Sequence, residues 1–360
     1  MSTICIVAGV VLIGIAASDL FATVLLVRGG LSIVSPYLTR GVWWAFRNVD
    51  RGLRLDGRLM LLAGPTLLVL IVLVWAALLM TGFALLYLPM LGDGIVASNG
   101  VTNRSFWTAL YFSGFTFPTL GMGDVVPVSA TARMLTMIEA CTGFGAVTLA
   151  ISYTLSIYNA VSRHDSFALH LHGGSDETGW AAETLAGLCP AGGPDRSTGT
   201  SLEQIAERAY ELLQIHESYP LARYYRRRRP EFSSARIAFH LLDLVTLANA
   251  VFGERNDARL LGARGFISLR HAAFAFVEIS SSGKRDHAQE GWRGHFDRSF
   301  ACLRSRGVAV TDTEQAWRRY AEMRGRWDGR ARGLAEHMGY PYAKIADPGG
   351  TDVGALQGST

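Results

Sequence analysis

The sequence predicts an all-α membrane protein with a separate α-helical unit at its C-terminal side. Three observations carry this expectation. Mean hydropathy is +0.22 although 18% of the residues are charged. The chain is split: up to about residue 160 it is mostly apolar, and beyond that it is polar and rich in Arg, the pattern of a membrane part followed by a soluble part. Finally, the apolar part consists of runs long enough to cross a bilayer, separated by short polar stretches.

The first run is Ile4 to Val27, about 24 residues, enough for a membrane span. It lacks a basic leading stretch, and apolarity resumes after Ala16-Ala17-Ser18-Asp19. A retained helix is therefore expected rather than a cleaved signal peptide, and residues 1–28 are assigned to it. Asp19 lies within it. A carboxyl group at that depth is costly unless it faces protein or water, so a hydrogen bond to a neighbouring helix is expected.

Residues 29–58 form a basic linker. With Arg28 before it, the segment holds Arg40, Arg47, Arg51, Arg54 and Arg58 and no Lys. Such clusters beside membrane helices mark the cytoplasmic side. Trp43, Trp44 and Phe46 interleave with the arginines, which suits an interfacial helix with rings at headgroup level, or else a packed connecting helix.

Leu59 to Leu88 is the longest run, with Pro65 as a candidate bend and Pro89 and Gly92-Asp93-Gly94 as its end. A loop then leads to Arg104. Ser105 reads as an N-cap. Phe106 to Phe117 is apolar but only about 18 Å long as a helix, too short to cross. It fits a re-entrant helix stopped by Pro118. Thr131 to Val161 is the last apolar helix, followed by Arg163. Residues 59–161 thus read as one module. Starting outside, three spans place both the Arg linker and the C-terminal part in the cytoplasm, in agreement with the charge rule.

Between the re-entrant helix and the last span lies Thr119-Leu120-Gly121-Met122-Gly123-Asp124. Alternating glycines let alternate residues take φ > 0 without steric cost. A chain alternating in this way turns successive carbonyls to one side, and a row of carbonyls replaces a cation's hydration shell. The C-terminal end of the short helix carries partial negative charge and would stabilise a dehydrating cation in a water-filled cavity.

This stretch resembles the selectivity filter of potassium channels, T-V-G-Y-G-D. Thr119, Gly121, Gly123 and Asp124 match that pattern; Leu120 replaces its Val or Ile, and Met122 its aromatic residue. Pro127, Arg133 and Gly143 match the flanks, and the resemblance runs from roughly Ser105 to Tyr158. It implies a pore-loop fold: a homotetrameric, potassium-channel-like pore module plus an α-helical cytoplasmic domain. Four loops would hold K+ with backbone carbonyls of Thr119, Leu120, Gly121 and Met122. Asp124 would sit at the outer mouth. No cofactor is implied; K+ is the permeant ion. Gly143, with Gly145, would be a gating hinge, although small residues equally suit close helix packing. Met122 and Pro118 depart from the consensus. Met has a flexible thioether and no hydroxyl, and Pro removes an amide donor where the pore helix ends. Weaker discrimination against Na+ than the consensus filter gives is therefore expected. Glu139, two turns into the last span, is an intramembrane acid that braces the pore helix or senses pH, or else simply makes a buried hydrogen bond with no regulatory role, which is the favoured expectation.

The C-terminal part, residues 162–345, shows helical periodicity over Asp176–Leu188, Leu202–Ile215, Glu231–Phe252, Asp257–Ile279 and Asp312–His337. Residues 346–360 are small, polar and Gly-rich and are expected to be disordered. Arg223-Tyr224-Tyr225-Arg226-Arg227-Arg228-Arg229 is a candidate contact for anionic lipids, against a plain solvated face. His164, His170 and His172 match no standard metal spacing. Cys5, Cys141, Cys189 and Cys302 form no CxxC pair and are expected to be reduced thiols.

The formal net charge of +4 is too small to imply a nucleic-acid partner. The polar part holds no nucleophile–base pair, metal cluster or phosphate loop, so a membrane-anchored enzyme or receptor is the weaker reading. Three spans without an inverted repeat disfavour a secondary transporter. No span carries a voltage sensor's repeated arginines. The regulatory ligand, if there is one, is not specified by any motif.

Overall fold

The computed structural model describes residues 2–26, 34–53, 57–190, 193–253, 258–280, 291–308 and 313–347. Arg28, Arg54 and most of the C-terminal stretch expected to be disordered lie outside the described residues. The chain divides into two compact units, Met1–Phe46 with Leu62–Asn159, and Arg47–Leu61 with Ala160–Thr360.

The first unit holds α1 (Ser2–Val24), most of α2 (Ser35–Gly52), α3 (Ala63–Tyr87), β1 (Ile95–Ala97), α4 (Phe106–Thr116), β2 (Val125–Pro127) and the start of α5 (Ala130–Gly173). Helices α1, α3 and α5 are long and apolar enough to cross a membrane. Helix α1 packs on α3, where Gly9 and Gly82 let the two backbones meet: a Cβ on Gly9 would lie 2.7 Å from the Gly82 carbonyl oxygen. The other face of α1 leaves Ile4, Val7, Val10 and Val11 exposed, as a lipid-facing surface would.

Asp19 is fully buried in this unit. Its carboxylate accepts hydrogen bonds from Trp75 Nε1 of α3 (2.8 Å), the Ser35 hydroxyl (2.6 Å) and the Val34 amide (2.7 Å). It therefore ties α1 to α3 and caps the start of α2, an anchor with its acceptor capacity used inside the protein.

Between α3 and α5 the chain makes a short two-stranded antiparallel ribbon that the sequence did not suggest, with Ile95 opposite Pro127 and Ala97 opposite Val125. Phe83, Tyr87, Ile95, Phe112, Phe115 and Val125 form the core beneath it.

The second unit is a bundle built around α8 (Ser234–Phe252). This helix is also long and apolar enough to cross a membrane, but 94% of its apolar window is buried inside the protein, so its hydropathy marks a core helix. Around it lie α6 (Ala181–Leu188), α7 (Arg196–Ser218), α9 (Ala258–Leu261), α10 (Arg264–Ser280), α11 (Trp292–Ser305), α12 (Thr313–Arg324), α13 (Asp328–His337) and α14 (Tyr342–Ala346). Helix α7 starts with a capping box in which Asp195 and Thr198 satisfy each other's amides.

Several expected helices have different bounds. Helix α5 continues past Val161 to Gly173, because its second half exchanges apolar residues for polar ones without a breaker. The stretch expected to start at Asp176 forms α6 only from Ala181. Asp176, Glu177 and Gly179 take positive φ (48°, 62° and 76°) and make a turn instead. Asp312–His337 divides into α12 and α13 at Gly325–Trp327. Helix α11 has no clear sequence signal because Arg, His and Gly dilute its apolar period.

Candidate functional site

Helix α4 begins with the Ser105 hydroxyl accepting from the Thr108 amide, the N-cap expected from the sequence. Its C-terminal end is closed by the loop that follows. The Thr119 amide donates to the Thr116 carbonyl (2.9 Å), and the Leu120 amide donates to that of Phe115 (2.8 Å). Pro118 has no amide to give, so the next two residues take over the helix's unpaired carbonyls.

Beyond this point the backbone alternates. Thr119, Gly121 and Gly123 have φ of 61°, 61° and 80°, separated by Leu120 and Met122. The glycines meet the sequence expectation. Thr119 does not: a β-branched residue at positive φ is strained by about 1–3 kcal/mol, and the tight closure of α4 holds it there. Residues Pro118 to Asp124 are all exposed, and the apolar side chains of Leu120 and Met122 are 69% and 65% accessible.

The outer end of the loop is fastened by two residues that sequence reading missed. Tyr111 donates its hydroxyl to Asp124 (2.9 Å). Ser98 donates its hydroxyl to the Gly123 carbonyl, and its amide donates to the Asp124 carbonyl (2.8 Å). The ribbon of β1 and β2 brings Ser98 to this place. Tyr111 lies on α4 one turn before Phe115, whose ring it contacts edge-on at 5.3 Å. An aromatic hydroxyl on a helix too short to cross a membrane, one turn before its end, was the available signal.

Behind the loop, Glu139 of α5 is fully buried. It accepts from the Tyr87 hydroxyl of α3 (2.6 Å) and the Ser113 hydroxyl of α4. One carboxyl thus joins α3, α4 and α5. Gly143, one turn further on, is a contact glycine: a Cβ there would lie 2.0 Å from the Phe117 carbonyl oxygen. The end of α4 rests directly on the α5 backbone. A Cβ on Gly145 would have nothing within 4 Å, so the two glycines that the sequence paired have different surroundings.

In the second unit the structure separates the arginine run. Arg223 turns inward and donates through Nε and Nη2 to the His216 carbonyl at the end of α7 (3.0 and 2.7 Å). Arg227 pairs with Asp165 (2.5 Å). Arg226 stacks over the Tyr340 ring (4.5 Å), and Arg228 and Arg229 are exposed. His164 is buried; it hydrogen-bonds Ser234 (2.9 Å), and burial pushes its pKa down. Burial likewise holds His216 at about 3, with His164 and Arg223 adding to the effect.

A buried polar network fixes the bundle. Asp243 of α8 accepts from His295 Nε2 (2.9 Å) and from the Tyr320 hydroxyl (2.8 Å), and Arg324 Nε donates to Asp328 (2.9 Å). Burial alone would raise the Asp243 pKa, but the His295, Arg324 and Tyr320 partners outweigh it and bring it to about 2. Among the described residues no group of three or more His, Cys, Asp or Glu is placed to hold a metal ion, and none of the four cysteines is joined in a disulfide.

Residues 67–159 match the family described as "Ion channel". A curated relative, "Uncharacterized membrane protein YdjJ" of Bacillus subtilis (strain 168), is 28% identical over 163 residues, 45% of this chain and 47% of that protein. The chain spans about half the length of the curated relative it matches. No solved structure matches. The residues that match the ion channel family contain α4, the alternating loop and the α5 segment on which α4 rests.

Proposed function

We propose that four copies of this chain surround one axis and form a passive, potassium-preferring channel in the cell membrane. The observation that carries this reading is the alternation of positive φ at Thr119, Gly121 and Gly123 directly after a re-entrant-length helix. In that backbone the carbonyls of Thr119, Leu120, Gly121 and Met122 become ligands for dehydrated K+, and Asp124 raises the local cation concentration at the outer mouth. One chain supplies only one wall of such a path. The exposure of Leu120 and Met122, and of Phe144, Val147 and Ile151 on α5, supports further copies closing around the axis. Transport needs no catalysis and no cofactor. The N-terminus lies outside and the helical unit in the cytoplasm, where it regulates the pore or holds the assembly together.

Selectivity is moderate in this account. The Thr119 strain, the Pro118 closure and the Ser98 and Tyr111 contacts hold the loop at its two ends. Met122 in the middle has a flexible side chain. The test is a bi-ionic measurement on the purified, reconstituted protein. K+ is expected to permeate better than Na+, by less than a rigid consensus filter allows. Equal permeability would favour the second reading, a weakly selective Na+/K+ cation channel, which Met122 and Pro118 also support.

A further inference from the structure

The second unit contains a cleft of ≈ 820 Å³ lined by Arg47, Arg51, Arg226, Arg228 and Lys344, with Asp50 and Glu336 as its acidic members. Several features make it more than a solvated charged face. None of the five cationic side chains forms an ion pair among the described residues. Asp50 is buried, and both its carboxylate oxygens are already engaged, by the amides of Gly57 (2.8 Å) and Leu59 (3.1 Å). Arg226 is held rigidly. Its guanidinium lies against Gly57, where a Cβ would be 1.2 Å from Nη1, and over the Tyr340 ring at 4.5 Å. Its Nη2 donates to the Gly339 carbonyl (3.0 Å), while Nε and Nη1 are buried without a hydrogen-bond acceptor, as is Nε of Arg47.

Buried guanidinium N–H groups without acceptors are costly, and a cluster of like charges is too. Burial and the neighbouring Arg51 both disfavour the charge on Arg47, and Glu336 offsets them only in part. An anion relieves both costs together. Arg51, Arg228 and Lys344 are exposed and free to close on it, and Met60, Pro230, Pro341 and Tyr340 give the cleft an apolar wall. The volume is in the range of small-molecule sites, about 300–1,000 Å³, and larger than a single phosphate requires.

We propose that this cleft binds an anion carrying two or more phosphate groups, recognised by Arg51, Arg228 and Lys344 over a base formed by Arg47 and Arg226. The anion joins the end of α2 to the α13–α14 corner, so its presence changes the stability of that corner. The proposal does not depend on ion conduction, because binding is read without measuring flux. The same chemistry is offered by a free polyphosphate and by a phosphorylated lipid headgroup.

The test uses the full chain. In neutral detergent it is titrated with inorganic tripolyphosphate. In phosphatidylcholine nanodiscs it is compared with the same nanodiscs containing phosphatidylinositol bisphosphate. Thermal unfolding and calorimetry provide the readouts. Wild type is expected to bind tripolyphosphate, with affinity falling as salt rises. The triple variant Arg51→Gln, Arg228→Gln, Lys344→Gln is expected to bind about tenfold or more weakly. Arg264→Gln, exposed and outside the cleft, should leave binding unchanged. The three replaced side chains are exposed, so the variant should melt as wild type does without the anion; Arg228→Gln alone serves if it does not. Stabilisation only by the phosphorylated lipid, lost in the variant, identifies a headgroup as the source. No binding of either probe, or equal binding by wild type and variant, overturns the proposal.

Discussion

Gly143 and Gly145 offer a comparison in which one chemical change has opposite expected outcomes two residues apart. Replacing Gly143 with Ala puts a Cβ 2.0 Å from the Phe117 carbonyl oxygen. Carbon–oxygen contacts that short do not occur, so α4 and α5 must part by about 1 Å, at a cost of about 1–3 kcal/mol for overpacking. Ala is better than Gly in a helix by about 1 kcal/mol, which offsets part of that cost. Phe117 is followed at once by Pro118 and the strained Thr119, so the displacement reaches the loop itself. Gly145→Ala meets nothing within 4 Å and should gain the helix preference alone. The assay pairs thermal unfolding of the detergent-solubilised protein with ion flux from proteoliposomes. Gly143→Ala is expected to lower both, and Gly145→Ala to leave flux near wild type with equal or higher stability. Wild-type flux and melting in Gly143→Ala would refute the contact. Equal losses in both variants would favour a hinge spread over the pair.

Three further outcomes are expected. Glu139→Leu removes the shared acceptor of Tyr87 and Ser113. The Ser113 hydroxyl still has the Met80 carbonyl (2.9 Å), so the cost should be about 1–3 kcal/mol, for the Tyr87 hydroxyl left unsatisfied; Glu139→Gln, which keeps an acceptor, should cost clearly less in the same thermal assay. Tyr111→Phe removes the donor to Asp124 and should reduce the preference for K+ over Na+ in bi-ionic recordings without lowering expression; an unchanged preference would mean that this contact does not shape the loop. The helical unit should be acid-sensitive. His216 of α7 and His240 of α8, the latter buried and hydrogen-bonded to the Thr184 hydroxyl (3.0 Å), are held by burial at about 3 and about 4 in the fold, against about 6.5 unfolded. Above pH 6.5 both are neutral in either state and contribute nothing. Below it the unfolded chain takes up protons that the fold refuses, so stability falls by about 1.4 kcal/mol per pH unit for each. Between pH 7 and pH 5 the loss is about 4 kcal/mol, with Asp243, depressed to about 2, adding to it only below the usual carboxylate range. Circular dichroism melts across this range check it, and an unchanged melting temperature at pH 5 would contradict it.

Much of the membrane part was legible because its signals are local. Ser105 and Pro118 bracket a segment too short to cross, and Gly121 and Gly123 declare their conformations through their missing side chains. Thr119 did not, since its positive φ is imposed by the closure of α4 and not by its own preference. The Asp124–Tyr111 and Glu139–Ser113–Tyr87 contacts join residues distant in sequence, which periodicity cannot pair. Asp19 was expected to hydrogen-bond a neighbouring helix; that the partners are Trp75 and Ser35 needed the packing of α1 on α3. In the helical unit, α8 showed itself by its apolar run, but the same run satisfies the length and composition of a membrane span. Only its burial among the other helices distinguishes the two. The arginine run read as one patch because its residues are close in sequence, whereas a short 3-10 turn over Pro220–Tyr224 followed by irregular chain sends them in different directions: Arg223 to a helix end, Arg227 to Asp165, Arg226 to Tyr340.

The claim on which the account depends is that the loop from Thr119 to Asp124 is the ion path. Potassium flux down a gradient, measured in proteoliposomes holding wild type or Gly121→Ala at matched density, tests it most directly. Gly121 has φ of 61°, and a side chain there opposes that conformation, so the account predicts flux from wild type and little or none from the variant. A wild type that carries no ions, or a Gly121→Ala protein that conducts as well, would contradict it.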